Sequence, residues 1–386
     1  MSMDGVMSPG FLGWVAATVA LHWLAPRRLR PAVMILSTVV VLAIADLRAL
    51  WFLIGMTALT GVAVRAAARW RDAAVLGAVA CVLGVVLAFK LLETAPGELA
   101  SGAALIPLGL SYYSFRCAHL LIEVYLERIE PPGAADLIGY LFFPATIFAG
   151  PIHRYPAYLS GTPSDPDARM ASDGFERILY GYAKIVILSN YLLSGHLMPY
   201  LFSGVAEGSA AYHYLDAFDH GATLYLQFAG YSDIAIGFAL LLGHRVIENF
   251  NWPFLRTDIT AFWRAWHISL SSWCREYVFT SVHAVSRNGA LAALATMLVI
   301  GLWHGATLNY LMWGAYHGLG IVAHQSWRRS RSRVWVQGTL PAPAHALFGW
   351  LVTSQFVILS FVWTKDAEFS AALSAYATLL GIGGAP

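Results

Sequence analysis

Long apolar runs separated by short polar clusters set the organisation of this chain. Phe11–Ala25, Ala32–Ala45, Ala49–Val64, Ala73–Leu92 and Phe348–Trp363 are the clearest runs. Each approaches the roughly 20 apolar residues that carry a helix across a bilayer. About ten hydrophobic segments are expected in all, some of them short or broken. Between them lie the arginine clusters Arg27/Arg28/Arg30, Arg65/Arg69/Arg71 and Arg328/Arg329/Arg331/Arg333. Basic residues flanking spans mark the cytoplasmic side, so the first run reads as an uncleaved anchor with its C-terminal end inside. Two short spans between the first two clusters keep both on that side.

Other stretches depart from plain spans. Residues 106–132 carry Arg116, His119 and Glu123 in an apolar setting, and His119 and Glu123 share a helix face at i, i+4. The pattern suits either a structural pair or groups lining a cavity. The run 141–159 is interrupted by Pro144, Gly150, Pro151 and Pro156. Proline removes a backbone donor, and such backbone at membrane depth is tolerated only when buried in protein or lining a cavity, so the run reads as a re-entrant segment, or else as an ordinary kinked span or interfacial loop. Thr162–Asp173 reads as a polar loop, Phe175–Tyr200 as a helix, and Tyr214–Leu242 as a span holding Gln227 and Asp233. Asp233 is a helix-packing acceptor beside Gly230 and Gly237, or else a proton or substrate contact.

Residues 262–277 read as one helix with two stripes. Trp263, Trp266, Leu270, Trp273 and Tyr277 form an aromatic stripe, and Arg264, His267, Ser271 and Arg275 a polar one. Asp258 or Thr257 is placed to cap its start. Asn288–His317 is apolar again and contains Trp303, His304 and His317, with Gly305 allowing close approach beside His304.

Composition supports the membrane reading. The chain is 58% hydrophobic and 12% charged, with a mean hydropathy of +0.60, whereas soluble domains carry about 25% charged residues. No long hydrophilic stretch divides it, so a single integral membrane domain over 1–386 is expected. The net charge of +2 leaves no nucleic-acid footprint. Cys81, Cys117 and Cys274 lie far apart, which supports neither a disulfide framework nor a thiolate metal site.

There is no G-x-S-x-G, Walker A, G-x-G-x-x-G or H-E-x-x-H motif. The chemistry left is histidine chemistry, in which a neutral imidazole takes a proton and the substrates bring both nucleophile and leaving group. Acyl transfer from a thioester to a hydroxyl fits that description. Spacing alone leaves alternatives open: satisfied structural histidines, a transporter with a proton relay through Asp233, His267 and His304, or a haem protein with paired histidines.

Five blocks narrow this. FFPATIFAGPIHRY, QFAGYSDIAIGFALLLG, ENFNWPFL, FWRAWHISLSSWCREYVF and GLWHGATLNYLMWGAYHG resemble, in order, the membrane-bound O-acyltransferase (MBOAT) family. Their nearest likeness is to the bacterial branch with alginate O-acetylases and the teichoic-acid D-alanyl transfer protein. The resemblance implies an all-α polytopic fold of about ten to eleven helices around a funnel, with re-entrant or interfacial segments. It implies His304 as catalytic base and His267 as a second site histidine, with Trp303, Arg264, Trp266, Ser271, Asp233 and Asn249 in binding or supporting positions. It also implies that an acyl group, expected to be acetyl, passes from a cytoplasmic CoA or acyl-carrier thioester to a hydroxyl of an envelope polysaccharide or its periplasmic relay partner. The setting would be the bacterial inner membrane, with no bound cofactor or metal. One position departs from the family pattern: Ala265 follows Arg264 where the family block carries a second arginine.

Overall fold

A computed structural model describes residues 8–93, 107–148, 150–161, 167–330, 341–366 and 368–382. Pro96 and Gly97, a loop signal in the sequence after the Ala73–Leu92 run, residues 162–166 of the polar loop, and Arg331 and Arg333 lie outside these. The described residues form helices joined by short connectors, with no strand. Among the described residues six helices are long and apolar enough to cross a membrane: Arg27–Ala45, Leu47–Ala67, Arg69–Leu92, Ala168–Phe202, Ala210–Leu241 and Ala342–Lys365. Pro9–Leu24, Gly289–His304 and Phe369–Leu379 are shorter apolar helices. The fold is that of an all-α polytopic membrane protein. Its backbone contacts fall into two compact units, Met1–Tyr182 with Gly230–Glu248, and Ala183–Ala229 with Asn249–Pro386.

The first unit begins with α1 (Pro9–Leu24) and α2 (Arg30–Ala45). The next two apolar runs form two helices, Leu47–Ala67 and Arg69–Leu92, that meet without an intervening loop at a kink at Trp70, where φ is −133° and ψ 61°; together they are α3 (Leu47–Glu93). Arg65, Arg69 and Arg71 on either side of the kink still lie in helix, since helix propensity does not require apolarity. Both arms of α3 pack on α4 (Leu110–Tyr125), through Ala63, Val64, Val75 and Ala78 against Leu121 and Val124.

Arg116 is fully buried in α4. It donates to the carbonyls of Tyr140 (3.1 Å) and Leu141 (2.7 Å), which close α5 (Ala134–Leu141). A helix end leaves its last carbonyls without intrahelical donors, and here a buried guanidinium supplies them. Non-helical backbone follows, with a 3-10 turn at Pro144–Thr146, and its described residues are mostly buried in protein. Burial in protein is the condition that a re-entrant segment would require. His119 accepts from the Tyr155 backbone N–H at 3.2 Å, and Glu123 pairs with Arg128 at 3.1 Å.

A long helix, α6, runs over Ala168–Phe202, with a π-helical stretch at Ala183–Leu197. Residues 168–173, read as loop from their polarity, are therefore helical. They belong to a first segment, Ala168–Tyr182, whose exposed residues mix Ser172, Asp173 and Glu176 with Phe175 and Leu179. It crosses the end of α7 (Ala210–Leu241) at two glycine contacts. A Cβ at Gly181 would lie 2.6 Å from the Gly230 carbonyl oxygen, and one at Gly174 would lie 2.9 Å from that of Gly237. Midway between them Arg177 reaches Asp233 at 3.4 Å and also pairs with Glu248. Asp233 is thus a paired carboxylate at a small-residue helix crossing.

The second unit holds α8 (Ile259–Trp263), α9 (Ile268–Cys274, continuing through a π turn at Arg275–Phe279 into Thr280–Ser286), α10 (Gly289–His304), α11 (Leu308–Arg329), α12 (Ala342–Ser360) and α13 (Phe369–Leu379). Caps fix these starts. Asp258 Oδ1 accepts from Ala261 N at 2.8 Å, as the cap position predicts, and Asn288 Oδ1 accepts from Ala290 and Leu291 at 3.0 and 3.1 Å. The single helix expected over 262–277 is instead broken between Trp263 and Ile268.

Candidate acyl-transfer site

The break after α8 presents His267. Backbone pairs form between two stretches: Asn251 N–H donates to Ala265 O at 3.0 Å, and Ile268 N–H donates to Asn249 O at 2.8 Å. The fully buried Asn249 side chain accepts from the Ser269 hydroxyl at 2.6 Å and from Ser269 N–H at 3.4 Å. Ile268 and Ser269 open α9, where N–H groups have no intrahelical acceptor. His267, the capping residue, makes no side-chain capping bond, and Asn249 supplies the acceptors instead. The chain meets this requirement by turning left-handed at His267, with φ 42° and ψ 55°. That conformation costs an L-residue roughly 1–2 kcal/mol. Hydrogen bonds worth about 1 kcal/mol each offset it.

The same turn separates residues that a regular helix would have put on one face. Arg264 is exposed, whereas His267 is 2% exposed. Ala265 is also buried, so a second arginine at this place would have no room without rearrangement. Trp266 is enclosed by aromatic rings, stacking on Phe262 at 5.5 Å and Tyr225 at 5.9 Å, with Phe250 and Phe254 at its edges. It supports the turn rather than facing an open space. Ser271 donates its hydroxyl to the Trp266 carbonyl at 2.9 Å, while Ser271 N–H donates to His267 O at 2.9 Å.

The His267 ring meets Phe228 edge-on at 4.7 Å and Trp303 at 5.8 Å. Its Nε2 is buried with no hydrogen-bond partner among the described residues. This segment is not one of the apolar spans. Burial pushes the His267 pKa down to about 3, and nearby His304 adds to the effect. The side chain is therefore a neutral imidazole at physiological pH.

His304 is the last residue of α10 and is only half-buried. Trp303 lies against it at 4.5 Å, Tyr310 stacks on it at 5.8 Å with planes 16° apart, and Trp313 meets it edge-on at 5.4 Å. Trp303 thus contacts both histidines. Gly305 makes the Tyr310 stack possible, because a Cβ there would lie 2.5 Å from the Tyr310 ring. Behind the site, His317 packs on Trp263 (5.1 Å) and Trp313 (4.8 Å) and is buried.

The arrangement brings together His267, His304, Trp303, Asn249, Trp266 and Ser271 within one unit. Arg264 is at the exposed end of α8. Asp233 belongs to the other unit, paired with Arg177. Cys274, on α9, offers no nucleophile: it is buried, and burial pushes its thiol pKa up to about 12. The residues that sequence reasoning left out are Phe228, Tyr310, Trp313 and Trp263 as ring partners. Tyr310 and Trp313 carried a readable signal, since they lie six and nine residues after His304, on the helix that follows the Gly305 turn.

A polytopic helical chain with paired histidines, one on a buried turn and one on an open helix end, has the makings of a membrane-embedded transferase. The sequence profile of the membrane-bound O-acyltransferase family matches residues 109–362, and the chain belongs to this family. It is 30% identical over 342 residues to the probable alginate O-acetylase of Pseudomonas aeruginosa, covering 84% of this chain and 62% of that protein. It is 28% identical over 305 residues to the teichoic acid D-alanyltransferase of Streptococcus thermophilus, covering 72% of each. A peptidoglycan O-acetyltransferase of Helicobacter pylori is 27% identical over 321 residues, covering 72% of this chain and 58% of that protein. The chain spans less than two thirds of the length of the alginate O-acetylases it matches.

Proposed function

We propose that this protein is an O-acyltransferase. It moves an acyl group, acetyl in the first instance, from a cytoplasmic CoA or acyl-carrier thioester to a hydroxyl of an envelope glycan or of a periplasmic relay partner. The observation that carries this reading is the half-open His304 ring at the end of α10, held by Trp303, Tyr310 and Trp313. The relatives support the substrate class, since their names describe transfer to alginate, teichoic acid and peptidoglycan.

In this mechanism a ring nitrogen of His304 takes the acceptor hydroxyl proton as the oxygen attacks the thioester carbonyl carbon. The tetrahedral intermediate collapses, the carbon–sulfur bond breaks, and the imidazolium returns its proton to the departing thiolate. General-base help of this kind contributes about 10²–10⁴-fold. Neutral His267 orients or polarises a substrate group through its buried Nε2. The test is transfer from radiolabelled acetyl-CoA in membranes carrying wild type or His304→Ala at matched expression. Labelled product that falls at least a hundredfold supports the reading. Transfer undiminished by the substitution removes His304 from the mechanism.

A further inference from the structure

A groove of about 430 Å³ lies in the first unit, between the first arm of α3 and α5. Ile54, Ala58, Gly61 and Arg65 line one wall at i, i+4, i+7 and i+11, a single stripe of the helix. Leu137, Ile138 and Phe142 form the other. Thr57 also borders it, but its hydroxyl is engaged with the Leu53 carbonyl at 2.7 Å. The one charged lining residue is Arg65. It is exposed and pairs with no carboxylate among the described residues.

The surroundings fix what Arg65 can meet. Glu127, near this end of α3, is engaged by Arg71, and Glu123 by Arg128. Glu130 and Asp136 lie with Pro132 around a neighbouring hollow rather than in the groove itself. Five residues on, Trp70 is 63% exposed at the kink, with the Arg69 guanidinium over its ring at 5.2 Å. An exposed tryptophan flanked by arginines is the pattern of a membrane–water boundary. From Ile54 to Arg65 the helix rises roughly 16 Å at about 1.5 Å per residue. One leaflet's hydrocarbon depth is about 15 Å, half the ~30 Å core.

We infer that this groove is a binding site for one anionic phospholipid, with an acyl chain along the Ile54–Ala58–Gly61 stripe and the headgroup phosphate on Arg65. The single cation at one end of an apolar stripe matches the one anionic group of a phospholipid at the end of its acyl chains. Gly61 sets the floor, because a Cβ there would lie 3.2 Å from Leu137.

The experiment is native mass spectrometry of the purified full chain, titrated separately with dioleoyl-phosphatidylglycerol and dioleoyl-phosphatidylcholine. Wild type is expected to hold one phosphatidylglycerol per chain with at least a tenfold preference over phosphatidylcholine. Arg65→Gln removes the preference, and Ala58→Trp, which fills the groove, weakens both lipids at least tenfold. Arg69→Gln, outside the groove, changes neither and controls for the loss of a cation. The proposal is overturned if wild type binds both lipids equally, if Arg65→Gln keeps the preference, or if Ala58→Trp leaves binding intact. It is also overturned if inorganic phosphate alone shows the Arg65-dependent binding, or if Ala58→Trp instead dissolves a dimer.

Discussion

Asn249 accepts a 2.6 Å hydrogen bond from the hydroxyl of Ser269, twenty residues downstream, and this contact holds the turn on which His267 sits. Asn249 is fully buried, so it shapes the candidate site through this turn. Asn249→Ala removes the acceptor from two buried donors, at a cost of about 1–3 kcal/mol. The expected result is a lower unfolding temperature in detergent together with slower acyl transfer. Ser269→Ala, which removes one of the two donors as well as its bond, is expected to lose less. Equal transfer rates in Asn249→Ala and wild type would separate the turn from the reaction.

Gly305 and Tyr310 make a second pair whose coupling is measurable. A methyl at 305 would lie 2.5 Å from the Tyr310 ring, while the backbone there, at φ −170° and ψ 140°, suits any residue. Gly305→Ala should slow transfer about tenfold or more by displacing the Tyr310 ring from His304. Combining it with Tyr310→Ala removes the clash, so the double variant should be no slower than Tyr310→Ala alone. Neighbours in contact show such non-additivity, of about 0.5–3 kcal/mol. Strict additivity of the two substitutions would argue against the stack as the cause.

Trp303 touches both histidine rings, so its size should matter more than its indole nitrogen. Trp303→Phe is expected to retain most of the transfer rate, and Trp303→Ala to lose it with little change in protein yield. A Phe variant as inactive as the Ala variant would assign the indole N–H a direct part.

Asp233 separates the acyltransferase reading from a proton relay. It pairs with Arg177, which Glu248 also engages. Asp233→Asn should therefore cost about 1–3 kcal/mol at most, the usual range for a weakened buried polar contact, and leave acyl transfer within about twofold at matched protein. A loss of activity comparable to His304→Ala would place Asp233 in the chemistry.

The sequence exposed some of this architecture and concealed the rest, for physical reasons. Apolar spans such as Phe348–Trp363 are legible because lipid contact leaves a helix few other compositions. The histidine blocks are legible through their resemblance to a family, whereas spacing alone left His304 and His267 open to structural readings. The break between Trp263 and Ile268 was not legible. Trp263, Trp266 and Trp273 keep helical spacing across it, and its cause is hydrogen bonding to Asn249 and Asn251, far away along the chain. Nor was the pairing of Asp233 visible, since its partner Arg177 lies on another helix. Local periodicity reports the face a helix would show, and these features come from contacts that no local window contains.

On the proposed mechanism, the left-handed backbone of His267 sets stability and chemistry against each other at a single position. Glycine adopts φ 42° without the penalty that a side chain meets, and asparagine tolerates it better than most. A library screened only for expression or heat resistance should therefore enrich Gly or Asn at 267 and return well-behaved proteins with impaired transfer. Sequence surveys of thermostabilised variants would then record this position as a sacrifice of function that the chain itself does not make.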